Sequence, residues 1–264
     1  MARAVKQLDT AHDPTVYPSD DHMGEGSLQR FISELVRLQL EAYLNGLGRL
    51  AFVGANQFVY WRQFDPSRKL APDVFVLPGV RPGIKVDSWK VWESGIAPSF
   101  ALEIVSQDWE KDYRDAPAPY DELGVRELII FDPEWASRPN ERLRWQVYRR
   151  LARRGFVRVE TGNGDRARSK ALGCWLRAVG DDLDALRLRL ATDPRGDELI
   201  PTADEALARA EQALRAESEA HARAEQALRT EREALQAERE ARARAEAELT
   251  RLRAELGRRP RSKR

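Results

Sequence analysis

The sequence predicts an α+β fold, a mixed sheet with flanking helices, followed by one long helix. Three observations carry this. First, three short apolar runs, 71–77, 100–106 and 127–133, are rich in β-branched and aromatic residues and bounded by Pro, Gly, Asp or Ser, as buried strands are. Second, helical spacing appears near the N-terminus and again between the second and third runs, which implies a strand–helix–strand crossover beside hairpins. Third, from Thr202 onward Ala, Arg and Glu dominate, with no Gly or Pro until Gly257.

Taken in order, residues 1–22 are polar, with turn signals at Asp13-Pro14 and Pro18-Ser19, and read as a mobile tail. A core domain is expected over 23–200. Ser27 has the character of an N-cap. Leu28, Phe31, Ile32, Leu35, Val36, Tyr43 and Leu44 share a helical face that Asn45-Gly46 ends. Strands are expected at 50–54 and 57–62, then at the three apolar runs, then at 143–148, 155–160, 172–176 and 186–190. In Asp115-Ala116-Pro117-Ala118-Pro119-Tyr120 the two prolines suit a first helical turn, so the crossover helix is expected to start at about Asp115 and stop at Gly124. Lys111 then falls on the loop before it.

Lys and Arg number 44 against 43 Asp and Glu, so no global field attracts nucleic acid, and any such surface must come from local clustering. Lys85, Trp89, Lys90 and Trp92 interleave cations with aromatics, a pattern that holds single strands or simply packs on a sheet. Leu186-Arg187-Leu188-Arg189-Leu190 puts arginines on one face of a strand, solvated or phosphate-facing. Cys174 is the single cysteine, which excludes an internal disulfide and a cysteine zinc site. His12, His22 and His221 lie outside the apolar core, which excludes a Ser-His-Asp centre there. No run approaches the ~20 apolar residues of a membrane span, and no signal peptide opens the chain. A soluble, cytoplasmic protein without a membrane partner is expected.

Two of the apolar runs carry an acid in the middle, Asp73 and Glu103. A lone carboxylate inside an apolar strand costs several kcal/mol unless its charge is offset. Strand alternation puts Glu103 with Ala101 and Val105, and Asp73 with Phe75 and Leu77. If the two strands are neighbours, both acids share one face near the strand ends. Two hard oxygen ligands there suit Mg2+ or Mn2+. The alternative is that Asp73 caps a turn after Pro72 and Glu103 pairs with an arginine.

Pro72-Asp73, a spacer, and Glu103-Ile104-Val105 resemble the core of the PD-(D/E)XK nucleases. Adding Ser106, Asp112, Tyr120, Leu123-Gly124-Val125-Arg126-Glu127 and Phe131-Asp132-Pro133, the set resembles one bacterial branch, described as "putative restriction endonuclease", over roughly residues 23–190. The resemblance implies a restriction-endonuclease-like core and a metal-dependent endonuclease acting on DNA, with Asp73 and Glu103 as metal ligands and catalytic residues. It also implies a role for Glu25, where relatives carry a Glu before the first helix. Gln29 stands where they often have a His. Glu34 is a further, weaker acid candidate. The superfamily's lysine position, two after the Glu, is Val105 here. The branch's alternative position, four before the tyrosine, is Ala116. The nearest lysine is Lys111, to which the catalytic lysine role passes. The rival expectation is a non-catalytic module of the same fold acting through its C-terminal helix.

That helix is expected over 201–257, with a basic tail at 258–264. Leu207, Leu214, Leu228, Leu235, Leu249 and Leu256 share one heptad position, interrupted by His221 and Arg242. The companion seam holds Ala210, Glu217, Ala224, Glu231, Glu238, Ala245 and Leu252. Sustained heptads predict a coiled coil, weakened by the two breaks and supported by Glu–Arg pairs four apart, each ~0.2–0.5 kcal/mol. A homo-oligomer through 203–256 is the expected partner arrangement.

Overall fold

The computed structural model describes Thr15, Tyr17 and residues 27–106, 109–138, 140–180, 183 and 185–257, apart from the side chains of Lys111 and 255–257. The rest of the expected N-terminal tail and the basic tail at 258–264 lie outside the described residues. The fold is mixed α+β. The chain divides into two compact units that meet at Ala203/Asp204.

In the first unit, helix α1 (Ser27–Gly46) begins at Ser27 itself and buries Ile32, Val36, Leu40 and Leu44, one residue per turn. Strands β1 (Ala51–Gly54), β2 (Phe58–Tyr60), β3 (Lys69–Leu70), β4 (Val74–Pro78) and β5 (Ser88–Lys90) follow, then the single turn α2 (Val91–Ser94) and β6 (Phe100–Ile104). The crossover holds two helices, α3 (Trp109–Asp115) and α4 (Pro117–Leu123), before β7 (Glu127–Phe131). Then come β8 (Trp145–Leu151), β9 (Gly155–Gly162), β10 (Arg166–Ser169), β11 (Cys174–Val179) and β12 (Arg187–Ala191).

The central sheet has the order β1-β4-β6-β7-β8-β9. Only the β6–β7 junction within it is parallel, as a crossover requires. Each face carries its own core. On one face α1 and the β10-β11-β12 sheet cover Val74, Val76, Phe100, Leu102, Ile104, Ile129 and Phe131. On the other, α4 and the β3-β2-β5 sheet cover Phe75, Leu77, Ala101, Val105, Leu128 and Ile130. Each such Val, Leu, Ile or Phe side chain contributes ~1.5–3 kcal/mol relative to exposure. Gly54 pairs with Phe75, and the Phe75 ring lies where a Cβ would stand.

Two family-motif acids turn out to tie the scaffold. Asp132, fully buried, accepts from Arg142 Nε (2.7 Å) and Nη2 (2.6 Å) and from the Tyr113 hydroxyl (2.7 Å). Glu127 accepts from Arg149 Nε (2.6 Å), the Ser169 hydroxyl and the Lys170 amide (3.0 Å), joining the central sheet to β10.

Several expectations change. The crossover helix does not start at Asp115. Helix α3 precedes it, packed through Trp109 and Tyr113 (ring centroids 5.5 Å apart), so Lys111 is helical, not on a loop. Pro117 then opens α4 in the first turn, and Gly124, at φ 87°, closes it. Leu172-Gly173 form a turn, and the strand starts at Cys174. Strands β3, β5 and β10 carry no apolar pattern that announces them.

The Lys/Trp stretch is packing: Trp89 Nε1 donates to the Ile96 carbonyl (2.9 Å), Trp92 lies 5.3 Å from the Tyr17 ring, and Lys90 bonds Glu93 (3.4 Å). The β12 arginines are held within the molecule. Arg189 donates to Gln39 (3.2 Å) and the Ile200 carbonyl (3.0 Å), and Arg187 lies over the Phe31 ring.

The second unit holds helix α5 (Ala203–Gly257), whose described side chains beyond its first turns are all exposed. No helix among the described residues is long and apolar enough to cross a membrane.

Candidate active site

Strands β4 and β6 are antiparallel neighbours with Val74 opposite Leu102. Continuing that register by one residue sets Asp73 directly opposite Glu103. Cross-strand partners stand with Cβ atoms ~4.5–5.5 Å apart and point to the same face. That face is the one of Phe75, Ala101 and Val105, so the two acids, thirty residues apart in sequence, converge.

Each carboxylate is held. Asp73, 3% exposed, accepts from Gln29 Nε2 (2.8 Å) at Oδ1 and from the Ile104 amide (2.5 Å) at Oδ2. Helix α1 supplies Gln29. Glu103, half-buried, accepts from the Tyr120 hydroxyl. Its partner is thus a phenol from α4 where an arginine was the expected alternative. Asp112 of α3 turns back on the strand end, accepting from the Ser106 amide and hydroxyl (both 2.8 Å).

The electrostatics follow from burial. Loss of water pushes the Glu103 carboxyl well above the ordinary carboxylate range, and the charge of Asp73, then that of Asp112, pushes the same way. The Tyr120 hydrogen bond opposes them by favouring the ionised form. Burial and the Glu103 charge push the Tyr120 phenol well above its usual value, so it stays a donor.

Lys111 precedes Asp112 on α3, and its side chain lies outside the described atoms. Glu25 lies outside the described residues. Glu34 is turned away: it binds Arg37 (2.9 and 2.7 Å) on the exposed side of α1. Val105 is buried in the core around Phe75, and Ala116 is partly buried against it. Sequence reasoning placed Asp112 and Tyr120 in the motif without a contact, and gave Gln29 no partner. A polar residue opposite a buried acid is the signal that finds them, and it exists only once the strands are paired.

Among the described residues no cluster of three or more His, Cys, Asp or Glu has the arrangement to hold a metal. The carboxylates that meet here among the described residues are Asp73 and Glu103. The pair fits Mg2+ or Mn2+, which take one or two carboxylates and keep several waters, and the mutual repulsion at Glu103 is what a divalent cation relieves.

A mixed sheet with one parallel crossover, an acid just ahead of β4 and another near the end of β6 agrees with the restriction-endonuclease-like core that the sequence resemblance implies. The Uma2 family model, "Putative restriction endonuclease", matches residues 22–179, and the chain belongs to that family. A solved structure from Anabaena variabilis, titled a putative nuclease belonging to DUF820, is similar at 15% identity. The match covers 57% of this chain and 75% of that one, with a TM-score of 0.38. No curated protein matches.

Proposed function

We propose that the protein is a Mg2+- or Mn2+-dependent DNA endonuclease whose metal is held by Asp73 and Glu103. The observation that carries this is the cross-strand opposition of the two acids, with Glu103 reluctant to ionise beside Asp73. Family membership supports the substrate class. A bound cation supplies Lewis-acid polarisation of the phosphoryl oxygen and a lowered pKa for a coordinated water. The chain's own residues prepare that site. Gln29 and the Ile104 amide fix both oxygens of Asp73. Tyr120 aims Glu103 and favours its charged form. Lys111, adjacent to Asp112, is the candidate to orient the attacking water or stabilise negative charge as it develops. Glu25 is a candidate third acid.

A second reading has its own observation. At the two usual lysine positions, Val105 is buried in the core and Ala116 packs against it. That arrangement suits a non-catalytic module acting through α5, which under either reading assembles the protein through 203–256.

Nicking of supercoiled plasmid by the full-length protein, with and without Mg2+ or Mn2+, separates the two. The nuclease reading expects cation-dependent nicking, lost in Asp73→Asn and in Glu103→Gln, and a cation-induced rise in melting temperature. Nicking that survives both substitutions removes these acids from the mechanism. Absence of both nicking and thermal shift leaves the module.

A further inference from the structure

Helix α5 carries its leucines in water: Leu207 is 61%, Leu214 67% and Leu228 55% exposed. The seam they form is interrupted by Arg242 and His221 at the leucine position, and by Glu217, Glu231 and Glu238 at the companion position. In a parallel, in-register pair each of these would face its own copy, Arg242 against Arg242 and Glu217 against Glu217. Like charges so placed oppose pairing.

We propose that α5 pairs with α5 of a second copy of this chain in an antiparallel coiled coil, in the register that sets Arg242 opposite Glu217 and His221 opposite Glu238. This rests on the reading that the protein assembles through 203–256. In antiparallel coils one seam position packs against the other seam position of the partner. The same register sets Leu207 opposite Leu252, Leu249 opposite Ala210, Leu214 opposite Ala245 and Leu235 opposite Ala224. Both breaks in the leucine stripe meet an acid. One layer is imperfect: next to the two-fold axis Leu228 meets Glu231, whose aliphatic stem covers the leucine while its head reaches water.

Sliding the pair by one heptad is worse in both directions. One slide puts Arg242 opposite Ala224, with Leu228, Leu235 and Leu249 all facing glutamates. The other puts Arg242 opposite Ala210, with Leu214 and Leu235 facing glutamates. The favoured register also centres the pair between residues 229 and 230, the middle of the helix Ala203–Gly257, so the overlap runs its full length. Charge matching and maximal burial therefore select the same alignment. Arg242 already bridges Glu246 on its own helix (3.3 Å), and exposed bridges of that kind are worth little, so its head is available to a partner acid.

Cysteine pairing in the full-length protein tests this. Cys174 is buried and its thiol is pushed up to about 12, so it does not compete under mild oxidation. Leu214→Cys and Ala245→Cys change exposed helix positions. Sedimentation is expected to give a dimer. Mixed Leu214→Cys and Ala245→Cys chains are expected to cross-link, and neither alone, because residue 214 of one copy lies ~46 Å along the rod from residue 214 of the other. Arg242→Glu is expected to weaken the dimer about tenfold or more, and adding Glu217→Arg to restore it to within a few-fold. A dimer in which Leu214→Cys cross-links to itself overturns the antiparallel register and leaves assembly through α5 standing. A monomer overturns both.

Discussion

Tyr120 donates to Glu103 from α4, and that bond favours the ionised form against the larger effects of burial and the Asp73 charge. Removing it in Tyr120→Phe leaves burial and the Asp73 charge unopposed. Divalent-cation affinity is expected to fall ~10–100-fold, the usual cost of losing a group that orients a ligand, as read by calorimetric titration. The Glu103 shift also has a sign in stability. The folded protein keeps a proton on Glu103 above the ordinary glutamate value of 4.5, where the unfolded chain has lost it. Stability of the metal-free protein therefore falls as pH rises from 4.5 through the raised value. Urea midpoints across that window should decline for the native chain more steeply than for Glu103→Gln, and added Mg2+ should reverse the difference at the upper end. Asp73 and Glu103 were legible in the sequence because a charge inside an apolar strand demands an explanation. Gln29 was not, because nothing local to α1 reveals that it faces a residue forty-four positions away.

At the scale of elements, the apolar strands β4, β6 and β7 were legible because each contributes to both cores and so shows an unbroken hydrophobic run. Helix α3 was hidden. Its sequence, Trp-Glu-Lys-Asp-Tyr-Arg-Asp, has only Trp109 and Tyr113 to pack, and the prolines after it suggest a helix start. They do mark one, but of α4. Strand β10, Arg-Ala-Arg-Ser, pairs with β11 and is tied to the central sheet where Ser169 and the following amides bind Glu127, an attachment no propensity encodes. The loop after β7 is set by the Asp132–Arg142 pair, in which both side chains are almost wholly buried. Arg142→Met strands the Asp132 charge in the core. It is expected to cost ~3–5 kcal/mol, measured as a drop in unfolding free energy by urea titration.

Across the whole molecule, the sequence announced a core domain and a charged helix by composition alone, and the helix boundary falls where Gly and Pro cease. The proposed direction of pairing comes from asking which acid each break in the leucine stripe would meet. The parallel junction of β6 and β7 has a different consequence. Parallel neighbours oblige the chain to leave the end of one strand and return to the start of the next, so Glu103 sits at the exit, and Asp112, Lys111 and Tyr120 all ride on the segment that makes the return trip. The sheet sets where the acids stand; α1 and the Ile104 amide hold Asp73, and the return segment supplies the hydroxyl that meets Glu103. If the chain is a nuclease, exchanging that return segment for a lysine-bearing one is expected to raise nicking of supercoiled plasmid while the circular dichroism of the sheet stays unchanged.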